Sequence, residues 1–118
     1  MSDYREAILS LEKSDVNELR SFVNPPNAVV LVMKTVLVLL GNDDPDWNAA
    51  ITYLGKAQFL YDMVNIEPKE IDKKRLLKAK QYTTDSLWKF ETIEKTSKAC
   101  ACLYTWVEGV IQHAELHD

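Results

Sequence analysis

The 118-residue sequence predicts a single all-α domain: a compact group of short helices from which the two chain ends project as an antiparallel helical pair. Three observations support this prediction. The chain contains only three glycines and four prolines, too few for the turns of a β-sandwich or barrel. Its hydrophobic fraction of 47% and charged fraction of 27% are typical of a folded, soluble chain. Apolar residues recur at spacings of three and four near both ends, which is the period of an amphipathic helix.

Near the N-terminus, one apolar stripe predicts a helix that packs on a single face. Its members are Tyr4, Ala7, Ile8 and Leu11. Asp15 and Glu18 then have the spacing of a capping box, which predicts a short second helix from Asp15 through Phe22. The sequence Asn-Pro-Pro at residues 24–26 ends that helix, because proline has no N–H to donate and its ring clashes with the preceding turn.

The longest apolar run spans residues 28–40 and predicts the central helix of the core. Eleven of its 13 residues are apolar, and Gly41 follows as a C-terminal cap. Each buried apolar side chain contributes about 1.5–3 kcal/mol, so this segment outweighs every other in the chain. As a helix it would be about 20 Å long, shorter than the hydrocarbon layer of a bilayer. We therefore expect no membrane span here, and no signal peptide in the first 13 residues, which lack an apolar block.

Two short helices are predicted next. Asp46 is placed to cap a helix that begins at Trp47, and Gly55 is placed to end it. The apolar face of this helix contains Trp47, Ala50, Ile51 and Leu54. A second short apolar segment, residues 59–64, continues as another helix.

Pro68 marks the start of a basic helix. Proline fits the first turn, and the helix is expected to continue to about Lys80, with Ile66 and Ile71 forming a hydrophobic staple. Residues 82–85 read as a loop. The basic residues of this segment are Lys69, Lys73, Lys74, Arg75, Lys78 and Lys80.

The last helical stretch is predicted from about Leu87 to the end of the chain, with a glycine only at position 109. A heptad-like seam runs along it, formed by Ala99, Leu103, Trp106 and Val110. Both chain ends therefore carry an apolar stripe that needs a partner, which favours an antiparallel pairing of the two. We expect Trp47 and Trp106 to pack in the core.

Charge is distributed unevenly along the chain. The formal net charge is −4, but residues 56–98 carry ten basic and seven acidic residues, so this part is +3 and the remainder −7. The basic face of residues 69–80 has two interpretations. It is either a solvated helix face or a surface attracted to an acidic partner, such as a nucleic acid or an acidic protein filament. The acidic balance of the whole chain disfavours a general nucleic-acid binder.

The sequence shows no arrangement typical of catalysis or metal binding. Cys100 and Cys102 form a lone C-x-C without the second pair that a zinc site needs, and we expect both to be reduced. His113 and His117 have the spacing of two zinc ligands on one helix, but no third ligand is nearby. The aspartates of residues 43–46 lack the twelve-residue pattern of a calcium loop. We therefore predict neither an enzyme nor a cofactor site.

Several short motifs match those of one known family. Residues 18–26 read E-L-R-S-F-V-N-P-P, and the apolar segment after them ends in L-L-G at residues 39–41. Further matches follow in the same order: D-W at 46–47, Phe59, V-N at 64–65, Tyr82, S-K-A-C at 97–100 and W-V at 106–107. Together they cover essentially the whole chain, which resembles the microtubule-binding domain of dynein heavy chains.

The resemblance implies an all-α fold in which a compact bundle of about six short helices lies at the tip of an antiparallel two-stranded coiled-coil stalk. Residues 1–13 would be the end of the first stalk helix and residues 14–98 the globular microtubule-binding domain. Residues 99–118 would be the start of the returning stalk helix. The domain itself would be non-catalytic and would hold no cofactor or metal, since this family hydrolyses ATP in a distant ring.

The partners implied by the resemblance are the microtubule, built from α- and β-tubulin, and the rest of the heavy chain, reached through the stalk. Neither nucleic acid nor a membrane is expected. In this family one stalk helix slides against the other, and the slide switches the tip between weak and strong binding. Such a slip is physically reasonable, because a shifted heptad exchanges one set of core contacts for another.

The resemblance also implies a set of microtubule-binding residues, on the first short helix, near Trp47 and on the last short helix. The corresponding positions are Lys13, Arg20, Lys56, Glu91, Lys95 and Lys98. Among them the acidic Glu91 would tune the affinity. Glu12 and Ile51 stand where cytoplasmic members carry basic residues, which indicates an axonemal dynein of cilia or flagella. The rival interpretation is a helical nucleic-acid-binding or coiled-coil scaffold module that uses the basic 69–80 face.

Overall fold

The computed structural model describes residues 4–42, 45–56 and 58–116, and within these ranges every regular element is helical. The α-helices are α1 Tyr4–Leu9, α2 Lys13–Arg20, α3 Asn27–Leu39, α4 Trp47–Leu54, α5 Phe59–Val64, α6 Lys73–Thr83, α7 Phe90–Thr96 and α8 Lys98–Leu116. A 3₁₀ turn, Pro68–Glu70, lies between α5 and α6. Among the described helices, none is both long enough and apolar enough to cross a membrane.

Helix α3 is the centre of the core, as its sequence predicted. Ten of its 13 residues are buried, and it packs against α4, α6, α7 and α8. Its one buried hydroxyl, on Thr35, donates to the Leu31 carbonyl over 2.8 Å and so stays hydrogen-bonded. The helix ends in a Schellman motif, in which Asn42 N–H donates to the Leu37 carbonyl and Gly41 N–H to the Val38 carbonyl. Gly41 has the positive φ of 112° that this motif needs.

The two terminal helices pack against each other in antiparallel orientation, as predicted. The Tyr4 ring at the start of α1 lies 5.1 Å from the ring of His113, near the end of α8. At the other end of α1, Ser10 Oγ lies 3.7 Å from Cys102 Sγ. The start of α1 therefore lies beside the end of α8, and the end of α1 lies beside the first turns of α8. Gly109 of α8 lies directly beneath Tyr4, where there is no room for a side chain.

The second helix begins two residues earlier than the sequence predicted. Glu12 N–H donates to Asp15 Oδ2 over 3.0 Å, so Glu12 is the cap and Asp15 lies at the third helical position. The predicted pair of Asp15 and Glu18 was therefore wrong by one turn, because Glu12 and Asp15 have the same three-residue spacing. α2 also ends at Arg20 rather than at Phe22.

The predicted helix from Pro68 to Lys80 is interrupted. After the 3₁₀ turn the chain becomes extended at Ile71, and Asp72 then caps α6 by accepting a 2.8 Å hydrogen bond from Arg75 N–H. The side chain of Asp72 satisfies a free N–H of the first turn, which favours a new start there over a continuous helix. α6 continues to Thr83, so the first two residues of the predicted 82–85 loop are helical.

The predicted continuous stretch from Leu87 consists of two helices. Residues 87–89 are not helical, and Ser97 separates α7 from α8 with an extended backbone (φ −160°, ψ 123°). The buried Ser97 Oγ accepts from Cys100 N–H over 3.2 Å and so caps α8. Serine is a good N-cap because its hydroxyl satisfies a backbone donor of the first turn. By contrast, Asp46 caps α4 and Gly55 ends it as predicted, with Ala49 N–H donating to Asp46 Oδ1 over 2.7 Å.

Candidate binding surface

Helix α2 carries the first two candidate cations, Lys13 and Arg20, at its two ends. Both side chains are exposed. Leu19, on the inner face of the helix, is fully buried, and the helix packs against both α4 and α8. Lys13 and Arg20 are thus separated by about 10 Å along a short helix whose opposite face is held by the core.

Arg20 lies against the end of α4, next to Lys56. A Cβ atom at Gly55 would lie only 3.0 Å from Arg20 Nη2, so the guanidinium crosses the bare backbone of this glycine. Trp47 of α4 also contacts the segment that follows α2, because its Nε1 donates to the Phe22 carbonyl over 3.4 Å. Lys56 directly follows Gly55 and is exposed. The structure therefore places the Arg20 guanidinium against the backbone that directly precedes Lys56, although the two residues are far apart in sequence.

The junction of α7 and α8 carries the remaining candidates. Glu91 and Lys95 are one helical turn apart on α7, and Lys98 is the first residue of α8. All three side chains are exposed, while Ile93 on the inner face of α7 is fully buried. The break at Ser97 changes the chain direction between Lys95 and Lys98, so their positions cannot be read from a single helical wheel.

The start of α8 lies beside α2. These two helices are in contact, and Glu18 on α2 is close enough for its negative charge to act on the thiol of Cys100 in the first turn of α8. Burial raises the pKa of the Cys100 thiol to about 12, and the negative charge of Glu18 adds to this rise. α2 thus connects the end of α4 on one side with the start of α8 on the other.

Acidic side chains lie among the candidate cations. Helix α2 contains two basic and two acidic residues, and α7 contains one basic and two acidic residues. The surface is therefore a pattern of both signs with little net charge, which favours orientation and specificity over raw electrostatic attraction.

Comparison with known proteins identifies the family. The family model described as "Microtubule-binding stalk of dynein motor" matches residues 1–117. The chain belongs to this family. The sequence resemblance is thereby confirmed over nearly the full length of the chain.

Individual dynein heavy chains show the same relationship. Cytoplasmic dynein heavy chain of Saccharomyces cerevisiae is 29% identical over 114 residues, covering 95% of this chain and 3% of the relative. Human dynein axonemal heavy chain 6 is 35% identical over 98 residues, covering 83% of this chain and 2% of the relative. The ciliary dynein beta chain of Tripneustes gratilla is 32% identical over 114 residues, covering 92% and 3%. The chain thus spans only a few per cent of the length of these dynein relatives.

A solved structure shows the same fold. The structure named "Microtubule Binding Domain of DYNEIN-C" matches with a TM-score of 0.79 and 22% sequence identity, over 97% of this chain and 81% of that chain. The predicted all-α architecture of a dynein stalk domain is therefore confirmed.

One exposed apolar residue of this dynein stalk domain was not singled out from the sequence. Val23 lies just beyond the end of α2 and immediately before the Asn-Pro-Pro corner, and its side chain is 88% exposed. It lies three residues after Arg20. The signal that could have found it is its position, since an apolar residue between a helix end and two prolines has no helical face on which to turn inward.

The tryptophans singled out earlier have structural roles, as expected. Trp106 is fully buried and donates from Nε1 to the Met63 carbonyl over 3.0 Å, and Trp47 is half-buried against the core. The part of the chain that the structure describes contains no group of three or more His, Cys, Asp or Glu side chains that could hold a metal. His117, Asp43 and Asp44, considered as ligands from the sequence, lie outside the described residues.

Proposed function

We propose that this chain is the microtubule-binding tip of a dynein stalk, and that it binds the microtubule through α2, the end of α4 and the junction of α7 with α8. The residues of this proposed surface are Lys13, Arg20, Lys56, Glu91, Lys95 and Lys98. The observation that carries the proposal is the family match over residues 1–117. It is supported by the packing of Arg20 over Gly55, beside Lys56, and by the contact of α2 with the start of α8.

The strength of binding requires more than charge. Micromolar affinity needs about 8 kcal/mol. Exposed ion pairs contribute about 0.2–1 kcal/mol each, so the five cations of the surface fall short of that total. Val23, which is apolar, exposed and three residues after Arg20 in sequence, is the residue we propose to supply part of the remainder. The charged pairs would mainly orient the domain and make binding sensitive to salt.

The terminal helices are proposed to be the ends of the stalk, with residues 1–13 and 99–118 as its two strands and residues 14–98 as the globular tip. The antiparallel contact of α1 with α8 supports this division. Sliding of one strand against the other would then couple the tip to an ATP-hydrolysing ring elsewhere in the heavy chain. Coupling is reciprocal, so microtubule binding would favour one register as strongly as that register favours binding. The tip itself would be non-catalytic.

We further propose that the parent protein is an axonemal heavy chain that acts on the α- and β-tubulin lattice in cilia or flagella. The argument rests on Glu12 and Ile51, which reduce the number of cations near α2 and α4. Both residues belong to these helices or their caps. Weaker single-domain binding suits a motor that works in large arrays.

The direct test is cosedimentation with stabilised microtubules over a salt series, with the two terminal helices fused in each of several fixed registers. We expect binding in at least one register and a loss of binding as salt rises. Arg20→Glu should weaken binding severalfold, whereas the matched reversal Lys69→Glu, on the 3₁₀ turn, should not. Failure to bind in every register would overturn the proposed function.

A parallel titration with duplex and single-stranded DNA tests the rival function. Binding to DNA that is lost in Lys69→Glu and retained in Arg20→Glu would instead support a nucleic-acid module that uses the 69–80 face. We expect no binding to DNA, because the whole chain is acidic.

A further inference from the structure

Helix α6 presents an exposed leucine among lysines, outside the proposed microtubule surface. Leu77 is 60% exposed. Lys73 and Lys74 precede it by four and three residues and Lys80 follows by three, so all three lie next to it on the helix surface. The inner face of α6 is held in the core by Leu76 and Ala79, which are buried. The core packing of α6 therefore does not use Leu77.

A cleft of about 210 Å³ lies between this face and the last turns of α8. It is lined by Lys73, Leu76, Leu77, Lys80 and Glu115. Lys80 Nζ lies 3.1 Å from Glu115 Oε2, and the two side chains are 43% and 48% exposed. The cleft thus has an apolar floor, two lysines on its walls and one carboxylate at its α8 side.

The cleft is distant from the proposed microtubule surface. Lys98 and Glu115 are 17 residues apart on α8, which corresponds to about 26 Å along a helix. A partner that fills the cleft would therefore contact a different part of the domain from Lys98 and α2. The two surfaces can be tested separately.

We propose that this cleft docks an acidic polypeptide segment that carries an apolar side chain. Charge complementarity supports the occupant: Lys73 and Lys80 line the cleft, Lys74 lies beside Leu77 on the same helix, and Glu115 is the only acidic side chain among the described residues that line it. The apolar floor favours a polypeptide over a nucleic acid, because a leucine or phenylalanine side chain can cover Leu77 whereas a phosphate backbone cannot.

The Lys80–Glu115 ion pair is an internal competitor for such a segment. Glu115 places its carboxylate where a carboxylate of the partner would meet Lys80. Both side chains are half exposed, so the pair is weak and an incoming acidic group can replace Glu115. Removing the charge of Glu115 should then tighten binding, which a purely structural role of this ion pair would not do.

The experiment measures fluorescence anisotropy of a labelled twelve-residue polyglutamate peptide with one central phenylalanine, titrated with the 118-residue chain. We expect saturable binding that weakens as salt rises. The double variant Lys73→Glu/Lys74→Glu should bind the peptide about tenfold more weakly. Glu115→Gln should bind it about threefold more tightly, as expected for ion pairs at an exposed surface. Lys89→Glu, at an exposed lysine outside both surfaces, is the control for a charge reversal elsewhere and should leave the affinity unchanged.

Two further probes decide the chemistry of the partner. A peptide of the same length without the phenylalanine should bind severalfold more weakly, and Leu77→Ser should abolish that difference. All these positions are exposed, and circular dichroism checks that each variant remains folded. Equal affinity for both peptides, weaker binding after Glu115→Gln, or tighter binding of a DNA duplex than of either peptide would each overturn the proposal.

Discussion

The close contact between Gly109 and Tyr4 makes a strong prediction about the terminal helix pair. Glycine in the middle of a helix usually weakens it, so Gly→Ala at an ordinary exposed site stabilises a helix by about 1 kcal/mol. At Gly109 the added Cβ would meet Tyr4 Cβ well inside contact distance and would lie 3.0 Å from Cγ and 3.1 Å from Cδ1 of the same residue. The atom encountered first belongs to the rigid base of the side chain, so α1 must move away from α8.

The expected size of the effect follows from these two opposing contributions. Overpacking of this kind costs about 1–3 kcal/mol, and the gain in helix propensity offsets about 1 kcal/mol of it. We therefore expect Gly109→Ala to lower the free energy of unfolding by about 1 kcal/mol, or the melting temperature by about 4 °C for a domain of this size. Urea denaturation followed by circular dichroism measures the change.

A double-mutant cycle isolates the contact. In a Tyr4→Gly background no Cβ remains opposite residue 109, so Gly109→Ala should become stabilising by about 1 kcal/mol. Two results would refute the reasoning. One is a stabilising effect of Gly109→Ala in the wild-type background. The other is the same destabilisation in both backgrounds, which would place the cost outside the Tyr4 contact.

Three further predictions concern the cap of α4, the exposed valine and the buried thiol. Asp46→Ala should lower stability to urea by about 1 kcal/mol through loss of the N-cap, and an unchanged midpoint would argue against the cap. Val23→Ser should weaken microtubule cosedimentation without lowering the melting temperature, and equal binding would remove Val23 from the proposed surface. The raised pKa of Cys100 means that the folded chain holds this thiol proton more tightly than the unfolded chain. Stability from this group is therefore complete below about pH 9 and is lost between that value and about pH 12. Cys100→Ala should reduce the loss over that window in pH-dependent urea titrations, and an equal loss in both proteins would contradict the assignment.

The parts of the fold that the sequence predicted well carry their own local signals. α3 has a continuous apolar run closed by Gly41, and α4 has Asp46 and Gly55 at its two ends. In these segments only one residue is suited to begin or end the helix, so the helix boundaries can be predicted from local sequence alone.

The errors in the predicted fold arose where several residues compete for one backbone hydrogen bond. Glu12 competes with Asp15 as the cap of α2, and Asp72 begins a helix where Pro68 already offered a start. Ser97 divides a stretch whose apolar pattern continues on both sides. The alternative helix starts differ in free energy by about 1 kcal/mol, the contribution of a single N-cap, and tertiary packing easily overrides a difference of that size.

The candidate surface was predictable as a set of residues but not as an arrangement. The family motifs supplied its residue types and positions. The packing of Arg20 across the bare backbone of Gly55 is a tertiary contact between residues 35 positions apart, and no local pattern contains it. Likewise, the lysines of α6 formed a visible basic run, but the pairing of Lys80 with Glu115 depends on how α6 lies against α8.

The hydrogen bonds of the three tryptophans give this domain a built-in optical reporter. Trp106 lies on α8 and donates to the Met63 carbonyl over 3.0 Å, while Trp88 donates to Glu108 on α8 over 2.6 Å. Displacement of α8 along its axis would break both bonds and shift the emission of these two indoles. Trp47 donates to the Phe22 carbonyl, a bond that does not involve α8, so its contribution to the total emission should change least. The intrinsic fluorescence of the unlabelled chain can therefore follow movement of the returning helix in real time.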